Sequence, residues 1–427
     1  MMLKKRAALA VGVVVASAIA LTACGRTADT GTNSSPAVAI AGGKATGTIK
    51  VWAQGSEAES LGEIMKGFEQ ENPDAKVDVT AIPWGAAHQK YQTAIAGGST
   101  PDLAQMGTTW MADFASAFEP VPTEVDTSGM FPAAKGPATI KGTSVGVPWY
   151  VDTRVVYYRK DLAAKAGYTA PPASWDDFKS MAKAIQTKAG AAYGISLPTG
   201  ASADDFQAIL PFVWSNGAEL TDPAGTQWTI DTPEMAGALD YVNSFFAEGI
   251  ANRNPDTATG ATEANFVSGK TPMFIGAPSE VGALTAATGA SFKDKVGVMT
   301  FPKQKSGTSF VGGSDLAVFK NAANRDGAWK LVQYLSRPDV QAQFYKLTGD
   351  LPSRQDAWSQ GDLKSDPLLQ TFKAQMNDAK APPANTSWTQ VSAAADKELE
   401  KIVRGGVSPQ QALQELQATA SNVGISR

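Results

Sequence analysis

The sequence predicts an α/β protein of two lobes, each a mostly parallel sheet flanked by helices. Two observations predict the class. Residues 48–106 run strand, helix, strand, helix, strand, and consecutive strands joined by crossover helices make a parallel sheet. The chain has 427 residues, too many for one small core, which implies two or three domains. A third observation concerns what holds them: with a single cysteine there is no disulfide, so ordinary core packing must suffice.

The elements follow in order. Residues 48–52 and 76–82 alternate polar and apolar, as half-buried strands do. Between them Leu61, Ile64, Met65 and Phe68 fall on one helical face, and Asn72-Pro73-Asp74 stops that helix. A helix over 86–96 ends at Gly97-Gly98, and 102–106 reads as a third strand. Strands are predicted at 145–148 and 155–158, joined through Trp149–Asp152 as a connector. Ser174-Trp175-Asp176-Asp177 has capping-box spacing, and Thr232-Pro233 offers an N-cap with proline at the first helical position. Strands at 273–275, 296–299 and 315–319 and helices from Asn324 and Pro338 complete the alternation. The last 70 or so residues read as helical, with Ser408-Pro409 capping the final helix. There is no internal repeat.

The start of the chain has its own chemistry. Lys4, Lys5 and Arg6 precede an uncharged, mostly apolar run over 7–21. At about 15 residues it is short of the roughly 20 that a spanning helix needs, and its basic flank fits a signal-peptide core. Leu21-Thr22-Ala23-Cys24 resembles a bacterial lipobox, which implies cleavage after residue 23 and diacylglycerol on Cys24. The alternative is an ordinary signal peptide that leaves an unpaired thiol. Lys-Lys-Arg is not a twin arginine, so the general secretory route is expected. Residues 24–46, rich in Gly, Ser, Thr, Asn and Ala, read as a lipidated flexible tether.

Composition excludes several classes. Net charge is −4 and becomes more negative once Lys4, Lys5 and Arg6 are removed. No basic stripe is present, which argues against nucleic-acid binding. One histidine and one cysteine argue against a His/Cys metal site. No Asp-x-Asp-x-Asp-Gly loop occurs, although an all-oxygen calcium site stays open. Gly269-Lys270-Thr271 looks like the end of a phosphate loop, but Ala264 stands where that loop needs its first glycine. No cofactor is expected. After residue 23 no apolar stretch is long enough to span a bilayer.

Short pieces along residues 47–427 match one known pattern in order and spacing. They include Val51-Trp52, Asn72-Pro73, Trp84 with Lys90-Tyr91, and Gly98-Ser99-Thr100-Pro101-Asp102-Leu103. Gly146-Val147-Pro148-Trp149-Tyr150-Val151-Asp152-Thr153-Arg154 and Tyr157-Tyr158-Arg159-Lys160-Asp161 follow. Ala264-Asn265-Phe266-Val267-Ser268-Gly269-Lys270, Gly312-Gly313-Ser314 and Leu351-Pro352-Ser353-Arg354 complete the set. With these the chain resembles the carbohydrate-binding group of extracellular solute-binding proteins, the capture component of ABC importers. The resemblance implies a two-lobed periplasmic-binding-protein-like fold, with residues 47–153 and 303–350 in one lobe and 154–302 and 351–427 in the other. It implies a ligand cleft at a hinge of crossing strands, closure on the ligand, and a non-catalytic, monomeric receptor. Its partners are a carbohydrate, permease subunits and an ATPase on another chain, and the membrane is reached through the lipid alone.

A sugar ring has apolar faces and a rim of hydroxyls, so it is held by aromatic surfaces and by polar groups that bond paired hydroxyls. Trp149, Tyr150 and Asp152 lie at the expected lobe crossing, as an exposed aromatic pair with a carboxylate or as hinge packing. Trp84 and His88 share a helix face, toward the ligand or as buried Trp and solvated His. Thr108, Thr109 and Trp110 follow the third strand at the carboxyl edge where open sheets bind ligands, or cap a helix. Gln54, Ser56 and Glu57 hold the equivalent place after the first strand. Gly312, Gly313, Ser314 and Asp315 can bring backbone close to a ligand. Glu280 opens a helix and either bonds hydroxyls or favours the helix N-terminus. Arg354 reaches the cleft or braces the hinge. Trp388, on a face with Val391 and Leu399, is a wall of the site or part of the core.

Three other functions compete. The same scaffold could take a peptide, a polyamine or a phosphorylated polyol, the last requiring clustered Arg or Lys. A secreted glycosidase needs two opposed carboxylates, and no spacing singles out such a pair. An adhesin calls for repeats or a stalk, and neither is present.

Overall fold

The computed structural model describes residues 38–425 except Ala203 and Thr259. The predicted signal peptide, Cys24 and the first part of the tether lie outside the described residues.

In chain order, β1 (Gly47–Gln54), α1 (Gly55–Glu71), β2 (Ala75–Ile82), α2 (Trp84–Gly97) and β3 (Leu103–Gly107) come first. Short helices α3 (Met111–Phe114) and α4 (Pro132–Lys135), the hairpin β4 (Thr139–Ile140) and β5 (Thr143–Ser144), and β6 (Val147–Thr153) follow. Arg154 alone separates β6 from β7 (Val155–Arg159). Then come α5 (Lys160–Lys165), α6 (Trp175–Ala189), α7 (Asp205–Ser215), α8 (Pro233–Ala247), α9 (Ala261–Ser268), β8 (Met273–Gly276), α10 (Ser279–Thr288) and β9 (Val296–Met299). The chain returns through β10 (Ser309–Val318) to α11 (Arg325–Leu335), α12 (Pro338–Thr348) and β11 (Leu351–Pro352). It ends with α13 (Gly361–Ser365), α14 (Pro367–Met376), β12 (Ala379–Lys380), α15 (Trp388–Val403) and α16 (Pro409–Val423).

The local signals explain these elements. Ile49, Val51 and Ala53 of β1 are buried in alternation, and Leu61, Ile64, Met65 and Phe68 of α1 close over that sheet. Gly98 ends α2 in the left-handed region, at φ 64°. Ser174, Thr232 and Ser408 cap α6, α8 and α16, each accepting from the backbone N–H three residues on at 3.2 Å.

Two sheets carry the two lobes. The first has the order β11-β6-β10-β3-β1-β2, with β12 added to the start of β10; the second has the order β8-β7-β9. The parallel arrangement predicted from the N-terminal alternation holds for β1 with β2 and β3. It does not hold for the second sheet, where β7 pairs antiparallel with both neighbours. The direction of β7 is set by the crossing, since it continues from β6 after a single residue.

Two further expectations shift. Trp149–Asp152 is the body of one continuous strand, β6, rather than a connector. β10 starts at Ser309 and takes in Gly312 and Gly313, so these glycines pair with Asp152 and Val151 across the sheet. Hydrophobic clusters fill the first lobe around Trp329 and Phe344 and the second around Phe212 and Phe245. A third, with Val151, Val155, Val311, Leu351 and Phe372, packs where the strands cross.

Residues 38–46, read from composition as flexible tether, are fastened to the first lobe. Arg325 donates to the carbonyls of Val38 and Ala39 at 2.5 and 3.2 Å, and Ile40 N–H donates to Glu124 at 3.1 Å. Asn324 donates to Thr46 O at 2.8 Å. Composition misses this because most of the polar contacts are made by the backbone of the segment, while Ala45 is buried in the first-lobe core and Ile40 packs against it. Among the described residues no helix is long and apolar enough to cross a membrane.

Candidate functional site

A cavity of about 420 Å³ opens between the lobes, with residues from β6, β10, the 107–110 turn and α2 on one side and from α7 and α15 on the other. Its size lies within the range of about 300–1,000 Å³ typical of small-molecule sites.

The first lobe supplies an aromatic wall. Trp84 opens α2 and keeps 36% of its surface exposed. Trp110 ends the turn after β3 and stands edge-on to Trp84, with ring centroids 5.4 Å apart. Gly107 lets the Trp110 ring fold back, since a Cβ there would come within 3.3 Å of it. The floor is the crossing itself. Asp152, near the end of β6, pairs with Arg154 at 2.5 Å, and the Arg154 guanidinium lies over the Phe310 ring at 5.1 Å. Gly312 and Gly313 of β10 complete the floor. A Cβ on Gly313, at φ +119°, would meet Tyr150 O at 2.2 Å, so this glycine is required by strand packing and leaves bare backbone facing the cavity.

The second lobe supplies the opposite wall. Trp388 opens α15, is almost fully buried, and donates its indole N–H to Gln207 at 3.2 Å. Thr389, Ser392 and Asp396 continue along α15. Asp396 accepts from the N–H groups of Asp204 and Phe206 at 3.1 and 2.7 Å, fixing the start of α7. Asp204 lines the cavity with a left-handed backbone, φ 67°.

Two second-lobe carboxylates, Asp204 and Asp396, are pushed toward the neutral form. Burial is the main cause at Asp204 and at Asp396; Arg154 opposes it at Asp204, and backbone N–H groups oppose it at Asp396. Behind the floor, burial and then Glu263 raise Glu280 to about 7. Burial and then Glu57 raise Asp350 to about 7 as well. No cluster of His, Cys, Asp and Glu suited to a metal occurs among the described residues.

The structure brings Trp84, Thr108, Thr109, Trp110, Asp152, Gly312, Gly313 and Trp388 of the sequence candidates to this cavity. It places others elsewhere. Trp149 is 1% exposed and stacks on Phe344, ring centroids 4.4 Å apart. β6 is bulged at this point, Ser314 pairing with Tyr150 and Asp315 with Pro148, and Trp149 and Tyr150 both pack against Phe344 in the first-lobe core. The Tyr150 hydroxyl is buried and donates to Glu57 at 2.7 Å while accepting from Ser314 at 3.0 Å. Gln54, Glu57 and Ser314 are thus buried around Gln105 and Tyr150, beneath the site. The Ser56 side chain lies outside the described part. His88 backs the aromatic wall, edge-on to Trp110 at 5.4 Å and bonded to Asp113 at 2.8 Å. Glu280 sits behind the Asp152–Arg154 pair and does not line the cavity. Asp315 is fully buried with neither carboxyl oxygen bonded, and burial raises it well above the carboxylate range. Arg354 is turned outward to Asp356 and Asp126 and takes no part.

Sequence reasoning missed Arg154, Asp204, Gln207, Phe310, Thr389, Ser392 and Asp396. Arg154 stood at the end of the matched crossing motif and could have been found there. Trp388, Ser392 and Asp396 recur every fourth residue, which puts them on one helix face. Asp204 and Gln207 carry no local signal.

A family model for bacterial extracellular solute-binding protein matches residues 53–342. The diacetylchitobiose binding protein DasA of Streptomyces coelicolor is 26% identical over 401 residues, 91% of each chain. The maltotriose-binding protein of Pyrococcus abyssi is 25% identical over 374 residues, 83% of this chain and 78% of its own. Among solved structures, the sugar-binding protein MalE of Xanthomonas citri superposes with a TM-score of 0.84 at 32% identity, over 88% of this chain and 97% of that one. The two lobes, the cavity between them and these likenesses lead to one conclusion: the chain belongs to the bacterial extracellular solute-binding proteins and captures its solute outside the cytoplasm.

Proposed function

We propose that the chain binds a di- or oligosaccharide in the interlobe cavity, without turnover, and delivers it to the permease of an ABC importer driven by a separate ATPase. The observation that carries the sugar reading is the pair of facing walls. Trp84 and Trp110 offer aromatic surface from one lobe, and the buried Trp388 backs the facing wall of Thr389 and Ser392 on the other, with Asp152, Arg154, Gln207 and Asp396 between them as hydroxyl partners. This is the combination that a ring with apolar faces and a polar rim requires. Relatives whose names specify diacetylchitobiose and maltotriose support the same ligand class. A phosphorylated ligand fits less well. Among the described lining residues Arg154 is the one cation, and it is already paired with Asp152.

In this reading the lobes divide at crossings near 153/154, 302/303 and 350/351 and close on the ligand. Cys24 carries lipid after removal of residues 1–23 and keeps a monomeric receptor beside its permease. A thermal-shift screen of the purified protein against mono- and oligosaccharides tests the ligand class, because binding to the native state alone raises the melting temperature. A rise with saccharides and no sugar release on long incubation supports it. A rise only with amino acids, peptides or polyamines removes it.

A further inference from the structure

Gly269-Lys270-Thr271, which fails as a phosphate loop for want of a glycine at Ala264, joins α9 to β8 and borders a cavity of its own. That cavity measures about 160 Å³ and shares no lining residue with the one between the lobes. The second sheet keeps the two apart. Gly276 of β8 pairs with Val155, next to the crossing, and Met273 pairs with Tyr158 at the other end. Thr271 precedes Met273, so the cavity lies within the second lobe, at the end of its sheet away from the crossing.

Backbone hydrogen bonds hold the walls. The N–H groups of Ala192 and Tyr193 donate to Lys270 O at 3.0 and 3.1 Å, Ser196 N–H donates to Met273 O at 2.8 Å, and Thr271 N–H donates to Asn265 O at 3.1 Å. Asn252 is braced by its own turn, donating to Asn254 O at 3.1 Å and accepting from Asn254 N–H at 3.1 Å. A wall already fixed costs a ligand little in ordering.

The side chains that line the cavity are not spent in the same way. Thr271 is 8% exposed, and its hydroxyl has no partner among the described residues. Buried polar side chains are bonded in the large majority of cases, so the partner of this one has to come from the cavity. The side chains of Tyr193, Ser196 and Asn265 likewise bond no described residue. Lys270 and Asp256 are exposed and oppositely charged, yet among the described residues neither forms an ion pair, with the other or with any third group. One Asp256 oxygen accepts from Ala258 N–H at 3.0 Å, which leaves the second for a ligand.

Two opposite charges held apart at one cavity select what fits there. A metal cation is repelled by the Lys270 ammonium. A phosphate is repelled by the Asp256 carboxylate and finds a single cation. A neutral sugar leaves both charges unanswered. A molecule with its own carboxylate and ammonium answers both through charge-assisted hydrogen bonds, the stronger kind. The volume is below the roughly 300 Å³ at which typical small-molecule sites begin, which limits the ligand to few heavy atoms.

We propose that this cavity is a second binding site, for a small amino acid in its zwitterionic form, with the carboxylate on Lys270 and Thr271 and the ammonium on Asp256. The site is independent of the saccharide reading and adds a second class of ligand to the chain.

The test is calorimetric titration of the purified protein with glycine, L-serine, β-alanine and γ-aminobutyrate, which vary the side chain and the separation of the charges. Acetate, methylammonium and inorganic phosphate serve as probes of one sign. At least one amino acid is expected to bind with one site per chain, about tenfold or more tighter than acetate or methylammonium. Lys270→Met, Asp256→Asn and Thr271→Val should each weaken that binding about tenfold or more. The first two change exposed residues and the third keeps a branched side chain, and melting temperatures check that each variant folds. Binding of no amino acid at millimolar concentration overturns the inference. Acetate or phosphate binding as tightly as the amino acids also overturns it, since one charge would then suffice. Amino-acid binding that the three variants leave intact and Trp84→Ala abolishes puts the amino acid between the lobes, and overturns this inference and the saccharide reading together. Amino-acid binding weakened by the three variants, in a protein that no saccharide stabilises, supports this inference and removes the other.

Discussion

Asp315 offers the sharpest physical test of this structure. It is fully buried on β10, neither of its carboxyl oxygens is bonded, and burial raises it well above the usual carboxylate range. The folded protein therefore keeps the Asp315 proton at pH values where the unfolded chain has lost it. With the folded value above the unfolded one, the native state binds more protons, and stability falls as pH rises through the interval between them. One proton changes the unfolding free energy by about 1.4 kcal/mol per pH unit in that interval. Asp315→Asn removes this term while keeping shape, so the variant should gain about 1.4 kcal/mol on the wild type for each unit from about pH 4.5 upward. Below about pH 3.5 the difference should be constant, because both states of the wild type are then protonated. Urea unfolding of the two proteins at pH 3, 4.5, 5.5 and 6.5 reads it directly. Comparing the pair cancels Glu280 and Asp350, which titrate in both. A difference that stays flat with pH would falsify the assignment and mean that Asp315 ionises in place.

Three further outcomes follow from the packing. Trp84→Ala removes a wall that is one-third exposed, so stability should change little while saccharide affinity falls about tenfold or more; calorimetry that finds unchanged affinity would displace Trp84 from the site. Trp149→Ala empties a buried position stacked on Phe344 and should cost about 3–5 kcal/mol in urea unfolding, with saccharide affinity of the folded molecules retained. Arg325→Ala removes the donors that hold the carbonyls of Val38 and Ala39; hydrogen exchange at Ile40 should quicken while Ala45, whose N–H donates to Asn72 at 2.9 Å, stays protected, and unchanged exchange at Ile40 would show that its bond to Glu124 holds that end alone.

The fold was most legible where periodicity and caps act locally. The β1-α1-β2-α2-β3 order, the three hydroxyl caps and the Gly98 stop all follow from residues within a turn of one another. Legibility failed at the crossing. Trp149–Asp152 reads as a connector because an aromatic, apolar and charged run lacks strand alternation. In the structure β6 has neighbours on both sides, β10 and β11, and a central strand need not alternate when both of its faces are covered. Gly312 and Gly313 argue against a strand by propensity, yet β10 passes through them because a Cβ at either would strike Phe310 or Tyr150. Close tertiary contact decided both places, and it leaves no trace in local pattern.

The site was legible on one side only, for the same reason. The first-lobe candidates sit directly after β1 and β3 or at the crossing, where the parallel-strand rule points. The rule then over-reaches. Gln54 and Glu57 occupy the right edge of the sheet, but Glu57 accepts from Tyr150 and Gln105, and the Gln54 side-chain amide donates to Tyr91 and to Gln105 O beneath the cavity. The second lobe follows no such rule, because its sheet is antiparallel and its wall comes from the ends of α7 and α15. Asp204 is held at the cavity by Asp396, almost two hundred residues later, which accepts from its backbone N–H. The two halves of the site therefore rest on different physics. One is set by strand order within a sheet, and the other by a buried carboxylate joining two helices. A substitution at Asp396 should thus disturb Asp204 and Gln207 together while leaving Trp84 and Trp110 in place.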